Sequence, residues 1–98
     1  MYEKLIVEFV GTFFFLSVIL NSFNDPTIGP MGVAIGLLAA IYIGANISGA
    51  HFNPAVTFAM FLENKLVFSL ALMYILTQFA AAFTAVKFNN FILKKIVL

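Results

Sequence analysis

Residues 48–57 hold the polar groups of this sequence that are best spaced to do chemistry, Ser-Gly-Ala-His-Phe-Asn-Pro-Ala-Val-Thr. Asn53 stands directly before Pro54, an order typical of a helix start. Asn is favoured as the N-cap, and Pro at the first helical position has no N–H to leave without a partner. If the Asn53 oxygen accepts from an amide such as that of Val56, its two amide hydrogens are fixed in direction. They can then donate to a passing water or hydroxyl oxygen.

The residues before Asn53 and Pro54 are expected to add hydrogen-bond acceptors along the route of the passing water or hydroxyl group. An extended segment of Gly49, Ala50 and His51 would expose its carbonyl oxygens there. The positive end of a helix that begins at Pro54 would repel hydronium and other cations at the same point. The combination suits neutral, hydrogen-bonding solutes, and it predicts a passive pore.

Two further polar residues lie inside apolar stretches, Glu8 and Gln78. A carboxylate near the centre of a bilayer costs about 2.5–3.5 kcal/mol on insertion scales. Glu8 is therefore expected to face the protein interior and to accept hydrogen bonds from backbone or amide donors. The alternative is an acid that snorkels to the surface from one turn inside the membrane. Gln78 also needs partners within the protein.

Other kinds of chemistry are not expected from this sequence. His51 is the only histidine and no cysteine is present, so the sequence predicts neither a metal site nor a cofactor. A proton pump needs a second titrating group in the membrane, for which His51 is the sole candidate. We also find no nucleophile with a matching base, and an enzyme is not expected.

The composition requires a bilayer as the solvent. The 98 residues are 63% hydrophobic and 9% charged, whereas soluble domains are about half apolar. A soluble chain of this length cannot hide the excess, because small domains bury only a modest fraction of their surface. We expect a multi-pass integral membrane protein in contact with lipid. The net charge of +1, with no basic cluster beyond Lys94 and Lys95, gives no case for nucleic-acid binding.

Four elements must position these polar residues. The apolar stretches 5–23, 31–47 and 66–86 reach roughly 25–32 Å as helices, close to the ~30 Å hydrocarbon thickness. Residues 54–62 make a helix of only about 14 Å. The sequence predicts an all-α membrane protein with three transmembrane helices and one re-entrant half-helix, in which residues 48–62 enter and return. The alternative for this segment is an amphipathic helix on the membrane surface, but its polar face would be Thr57 alone.

Three segments carry a resemblance to the aquaporin and aquaglyceroporin (major intrinsic protein) family. Residues 48–57 resemble the first of the family's two signature loops. Residues 8–13, Glu-Phe-Val-Gly-Thr-Phe, resemble the opening of its first helix, and residues 74–78, Tyr-Ile-Leu-Thr-Gln, resemble the Gln-bearing part of its third. That family is built from two inverted repeats, each with three spans and one half-helix. The resemblance implies that residues 1–98 form a single half-channel repeat.

The resemblance also implies roles for individual residues. Asn53, Pro54 and Ala55 would form one of two facing motifs at the pore centre, with Glu8 and Gln78 as buttresses of the loop that do not titrate.

The resemblance further concerns the outer filter of the pore. Val56 stands where the second repeat of the family carries its filter arginine, and this sequence contains no Arg. Val33 falls where the family's second helix places a bulky aromatic residue in the same filter. Both residues predict a wider and less polar constriction, so the sequence predicts a channel for water and/or small neutral solutes such as glycerol rather than one strictly selective for water.

One such repeat cannot enclose a pore, so a second copy in the opposite orientation is expected. Lysines in short loops set orientation, and here they are nearly balanced. With three spans and a loop that returns to its own side, one side of the membrane would carry Lys4, Lys65 and the N-terminal amine. The other side would carry Lys87, Lys94 and Lys95. This balance predicts an antiparallel homodimer or a higher homo-oligomer. The alternatives are a half-channel that pairs with a different chain and a non-conducting fragment.

Overall fold

The computed structural model describes residues 1–22 and 25–93 as four α-helices and one π-helical turn. The helices are α1 (Tyr2–Ser22), α2 (Gly29–Ser48), α3 (Pro54–Leu62) and α4 (Phe68–Phe88), and the turn Asn89–Leu93 continues α4. The described residues contain no strand. The predicted all-α class is confirmed, with three long helices and one short one.

Three helices are long and apolar enough to cross a bilayer, namely Tyr2–Ser22, Gly29–Ser48 and Phe68–Ile92. The third is longer than the sequence suggested, because the helix passes Lys87 and continues into the π-helical turn. Three residues used at the sequence level lie outside the described residues. These are Phe23 at the end of the first apolar stretch, and Lys94 and Lys95 in the count of lysines.

The second helix starts where the sequence contains two residues that usually break helices. Gly29 and Pro30 form its first turn, where the missing N–H of Pro removes no intrahelical hydrogen bond. The helix ends at Gly49, whose φ of 88° is left-handed and whose N–H donates to Ala45 O at 3.0 Å. Glycine adopts this conformation without the penalty that a Cβ brings.

The first two long helices pack antiparallel through small residues. Gly36, Ala40 and Gly44 are buried at every fourth position of α2. A methyl group at Gly36 would lie 3.3 Å from the Val18 side chain, and one at Gly44 would lie 2.9 Å from that of Val7. The small side chains therefore allow α1 and α2 to approach closely, as such stripes do in membrane helices.

The helices α2, α1, α4 and α3 are spatial neighbours in that order. Among the described residues α1 packs against both α2 and α4, while α3 packs against α4 alone. Phe13 of α1 contacts Phe88 with ring centroids 5.5 Å apart, and Glu8 contacts Gln78, so α1 and α4 run parallel. The face of α3 that points away from α4 has no other helix of the described residues beside it.

Candidate functional site

The connection from α2 to α3 is a tight coil rather than the extended segment expected from the sequence. Gly49, Ala50 and Phe52 have φ values of 88°, 53° and 54°. A left-handed conformation costs a residue with a Cβ roughly 1–2 kcal/mol, so contacts elsewhere must hold Ala50 and Phe52 in place. The expectation of an extended segment was wrong because these φ angles depend on contacts with other helices, which the local sequence does not specify.

The Glu8 carboxylate provides those contacts. Its side chain is completely buried, and Oε2 accepts from Ser48 Oγ at 2.7 Å and from His51 N at 3.0 Å. Oε1 accepts from Phe52 N at 2.8 Å and from Gln78 Nε2 at 2.9 Å. Four donors on α2, the connection and α4 thus converge on one acid of α1. The acid does not extend to the surface, and its hydrogen bonds offset the cost of burying a charge.

Gln78 links this acid to the half-helix. Its Nε2 group donates both to Glu8 Oε1 and to Thr57 Oγ1, each at 2.9 Å. Thr57 Oγ1 also lies 2.8 Å from His51 Nδ1. The Tyr74 hydroxyl donates to Ser48 O at 2.7 Å. The network therefore ties both ends of the connection to α4.

Three residues of this network were not singled out at the sequence level, namely Ser48, Thr57 and Tyr74. Each carried a signal that was available. Ser48 continues the every-fourth-residue stripe of α2, and Thr57 is the one polar residue in α3. Tyr74 lies four residues before Gln78, on the buried face of α4.

The Phe52 side chain anchors the connection on its apolar side. Only 3% of this residue is exposed, and its ring fits between two glycines. A methyl group at Gly11 would overlap the ring, and one at Gly44 would lie 3.0 Å from it. The two glycines therefore create the space between α1 and α2 that the ring fills.

Asn53 caps α3, although not through the amide that the sequence suggested. Its backbone is extended (φ −161°, ψ 126°), and its Oδ1 accepts from Ala55 N at 2.8 Å rather than from Val56 N. Pro54 follows at the first helical position. Asn53 and Ala55 are exposed and Pro54 is half-buried. Within residues 1–22 and 25–93 the Asn53 Nδ2 hydrogens have no acceptor.

The N-terminus of α3 lies beside the middle of α4. Thr57, near that end, contacts Gln78, which is the eleventh of the 21 residues of α4. At the other end of α3, the Phe61 ring packs against Phe68, the first residue of α4, at 5.8 Å. The half-helix therefore starts roughly 15 Å along α4 from its first residue and runs back towards it.

The two positions assigned to a filter are not brought together within this chain. Val33 is half-buried near the start of α2, and Val56 is half-buried in the first turn of α3. The helices α2 and α3 are not neighbours among the described residues. The same part of the chain contains no group of three His, Cys, Asp or Glu side chains placed to hold a metal ion.

Comparison with known proteins agrees with this architecture. The family model of the major intrinsic proteins matches residues 1–97, and the chain belongs to that family. It is 40% identical over 89 residues to aquaporin PIP1-2 of Musa acuminata, an alignment that covers 79% of this chain and 34% of that protein. It is 39% identical over 89 residues to aquaporin PIP1-1 of Oryza sativa subsp. japonica, with coverage of 79% and 31%.

A third relative is the probable aquaporin PIP-type 7a of Pisum sativum. The identity is 38% over 93 residues, which cover 83% of this chain and 32% of that protein. The chain spans about a third of the length of the curated relatives it matches. No solved structure gives a significant match.

The family and the fold together confirm the resemblance seen in the sequence. The chain is a multi-pass integral membrane protein, and its helices are arranged as one aquaporin-like half-repeat. The family consists of membrane channels and not of enzymes.

Proposed function

We propose that this chain is one half of a passive transmembrane channel for water and small neutral solutes such as glycerol. A second copy, inserted in the opposite orientation, completes the channel. The observation that carries this proposal is the Asn53 side chain. It is exposed at the start of a helix that begins beside the middle of α4, and its amide hydrogens have no acceptor within the described residues.

Lipid is an unsuitable neighbour for this amide. An amide moved from water into an apolar medium without a hydrogen bond loses roughly 1–3 kcal/mol by mutational measures. Backbone outside a helix is tolerated at membrane depth only against protein or a water-filled cavity. The connection at residues 49–53 combines non-helical backbone with the Asn53 amide, which has no acceptor within the described residues. Its exposed side must therefore face water or another protein segment.

The local charges favour neutral solutes. The N-terminal end of α3 carries the positive end of its helix dipole, and Asn53 Nδ2 adds two donors at the same place. These groups can bind the oxygen of water or of an alcohol, and they repel cations. Carbonyl groups of Gly49, Ala50 and His51 are the proposed acceptors, and the half-buried Val33 and Val56 are the proposed apolar walls of the filter.

An antiparallel copy fits the position of this site. A two-fold axis in the membrane plane leaves the mid-depth of the bilayer unchanged, so an Asn53 at that depth would lie at the same depth as the Asn53 of an antiparallel copy. The open face of α3, with Ala55, Phe58 and Ala59 exposed, offers the surface for that partner. The near-balance of Lys4 and Lys65 against Lys87 and the two terminal lysines permits both orientations.

The test is the permeability of vesicles that contain this protein alone, with Asn53→Asp as the variant. Asp is as good an N-cap as Asn, so the variant keeps the helix start while it replaces two donors with a negative charge. The wild-type protein is expected to raise osmotic water and glycerol permeability. Asn53→Asp is expected to lose that flux or to conduct cations.

The matched control is Asn64→Asp, the same chemical change at an exposed residue beyond the end of α3. It is expected to behave like the wild type. Unchanged flux in Asn53→Asp would show that this side chain does not line the path. No flux from the wild-type chain alone would refute the homo-oligomeric channel and favour a different partner chain or a non-conducting fragment.

A further inference from the structure

The two ring nitrogen atoms of His51 lie in different surroundings. Nδ1 is 2.8 Å from the hydroxyl oxygen of Thr57, a completely buried residue. Nε2 makes no hydrogen bond within residues 1–22 and 25–93. It lies beside Gly49, because a methyl group added to that glycine would be 3.3 Å from it. A neutral histidine carries one ring hydrogen, so these surroundings decide which nitrogen is the donor.

The buried charge of Glu8 sets the direction of the hydrogen bonds that end at this ring. A carboxylate accepts hydrogen bonds and cannot donate, so the Gln78 atom that lies 2.9 Å from Glu8 Oε1 must be the amide nitrogen. The second hydrogen of this nitrogen donates to Thr57 Oγ1, also at 2.9 Å. Thr57 Oγ1 therefore receives one hydrogen from Gln78 and still has its own hydrogen to donate.

The acceptor for the Thr57 hydroxyl hydrogen is His51 Nδ1. Among the described residues, the hydrogen-bond partners of Thr57 Oγ1 are this nitrogen and Gln78 Nε2. If Nδ1 carried the ring hydrogen, both partners would donate and the buried hydroxyl hydrogen would have no acceptor. A buried donor without an acceptor loses its hydration and gains nothing in return. The geometry therefore favours the tautomer with the hydrogen on Nε2.

Nε2 opens onto the proposed solute path. His51 and Gly49 line a cavity of about 310 Å³, at the end of the bundle where α1 and α4 begin and α3 ends. In the described part of the chain, the buried side-chain nitrogen and oxygen atoms without a partner belong to Thr12 and Gln78. The unpaired Nε2 is therefore not enclosed by protein. The Tyr74 ring packs against the His51 ring, with centroids 5.0 Å apart, and limits its rotation.

We propose that the His51 ring is a hydrogen-bond donor on the solute path, through Nε2–H, and that Thr57 is the positioning residue that keeps the hydrogen on this nitrogen. The inference rests on the proposed function and extends the path from the carbonyl groups of residues 49–51 to a side chain. A neutral donor beside carbonyl acceptors suits a solute that both accepts and donates, such as water or an alcohol. It offers nothing to ammonium, which has no lone pair to accept with.

The first test reads the tautomer directly, because His51 is the only histidine of the chain. The measurement is nitrogen NMR of the protein in bilayers with isotope-labelled histidine, at a pH above the ordinary pKa of histidine. Nε2 should show a bonded hydrogen and Nδ1 none. Thr57→Val keeps the side-chain shape without the hydroxyl, and should lower the ratio of Nε2–H to Nδ1–H about fivefold. Thr57→Ser keeps the hydroxyl and should restore the wild-type ratio.

The matched control is Thr84→Val, the same chemical change on the exposed side of α4. The Thr84 hydroxyl donates to Ala80 O of its own helix at 2.8 Å. This variant should leave both the nitrogen spectrum and the flux as in the wild type. The wild-type spectrum needs no substitution, so it reports the tautomer even if Thr57→Val fails to fold.

The second test measures what the donor contributes to flux. His51→Phe keeps an aromatic ring at this position and removes Nε2–H. In vesicles it should lower the glycerol permeability about fivefold relative to the wild type, which corresponds to the loss of one hydrogen bond to the solute.

The outcomes separate this inference from the proposed function. A wild-type spectrum with the hydrogen on Nδ1, or the same tautomer ratio in Thr57→Val as in the wild type, would overturn the positioning role in a channel that conducts. Equal glycerol flux in His51→Phe and the wild type would overturn the donor role. A wild-type chain that does not conduct would refute the proposed function, and with it the place of His51 on a solute path.

Discussion

At the scale of single residues, one buried acid organises the candidate site. Glu8 has no cation beside it among the described residues, yet four donors surround its two oxygen atoms. Charge-assisted hydrogen bonds are roughly twice as strong as neutral ones. The Glu8 side chain is completely buried, so water does not compete for these hydrogen bonds, and the acid and the left-handed connection stabilise each other.

The first prediction concerns the charge of this acid. Glu8→Gln keeps the shape of the side chain but turns one acceptor oxygen into an NH₂ group that faces donors. We expect the free energy of unfolding to fall by about 2–4 kcal/mol, because buried donors lose their acceptor. Denaturant unfolding in micelles, followed by circular dichroism, measures the change.

Glu3→Gln is the control for this substitution, since Glu3 is on the same helix and exposed. Its unfolding midpoint should match that of the wild type. An equally stable Glu8→Gln variant would mean that the carboxylate charge is not needed to hold the connection.

At the scale of the elements, glycine determines how closely the helices and the connection pack. Gly11→Ala adds a methyl group where the Phe52 ring lies. Overpacking of this kind costs roughly 1–3 kcal/mol, more than alanine gains over glycine in a helix, about 1 kcal/mol. We expect Gly11→Ala to lower the thermal unfolding midpoint, measured in micelles.

Gly32→Ala is the matched control, because it makes the same change in a neighbouring helix with room for the methyl group. The added carbon would lie 3.7 Å from the Ser22 side chain, an ordinary van der Waals contact. This variant should be as stable as the wild type or more stable. If both variants were equally stable, the Phe52 ring would not need the space at Gly11.

At the scale of the whole molecule, the proposed antiparallel pair requires that the chain inserts into the membrane in both orientations, and this consequence can be tested. The sequence contains no cysteine, so Glu63→Cys introduces a single thiol at an exposed position after α3. In intact cells a membrane-impermeant thiol reagent should label roughly half of the copies, since weakly biased chains insert both ways.

Permeabilisation of the cells provides the control for this labelling. It should make the remaining copies reactive, which excludes a thiol that is simply buried. Labelling of all copies or of none before permeabilisation would show a single orientation and would refute the antiparallel pair.

The sequence alone predicted the three long apolar helices, the short helix at residues 54–62 and the family. These features are local, because span length, helix-capping residues and a ten-residue motif can each be identified within one segment. The sequence also predicted that Glu8 and Gln78 need interior partners, since a polar group in a bilayer must find one. The family resemblance implied that both residues support the loop, but the sequence could not specify which atoms of the loop they bind.

Only the tertiary structure decided how these residues meet. Glu8 and Gln78 are 70 positions apart, and no local pattern specifies that one amide group joins Glu8 to Thr57. The left-handed φ angles of Ala50 and Phe52 are equally non-local, because the carboxylate of another helix and the space at two glycines stabilise them. Hydrogen bonds and packing between distant segments set this geometry, whereas hydrophobicity along the chain set the helices.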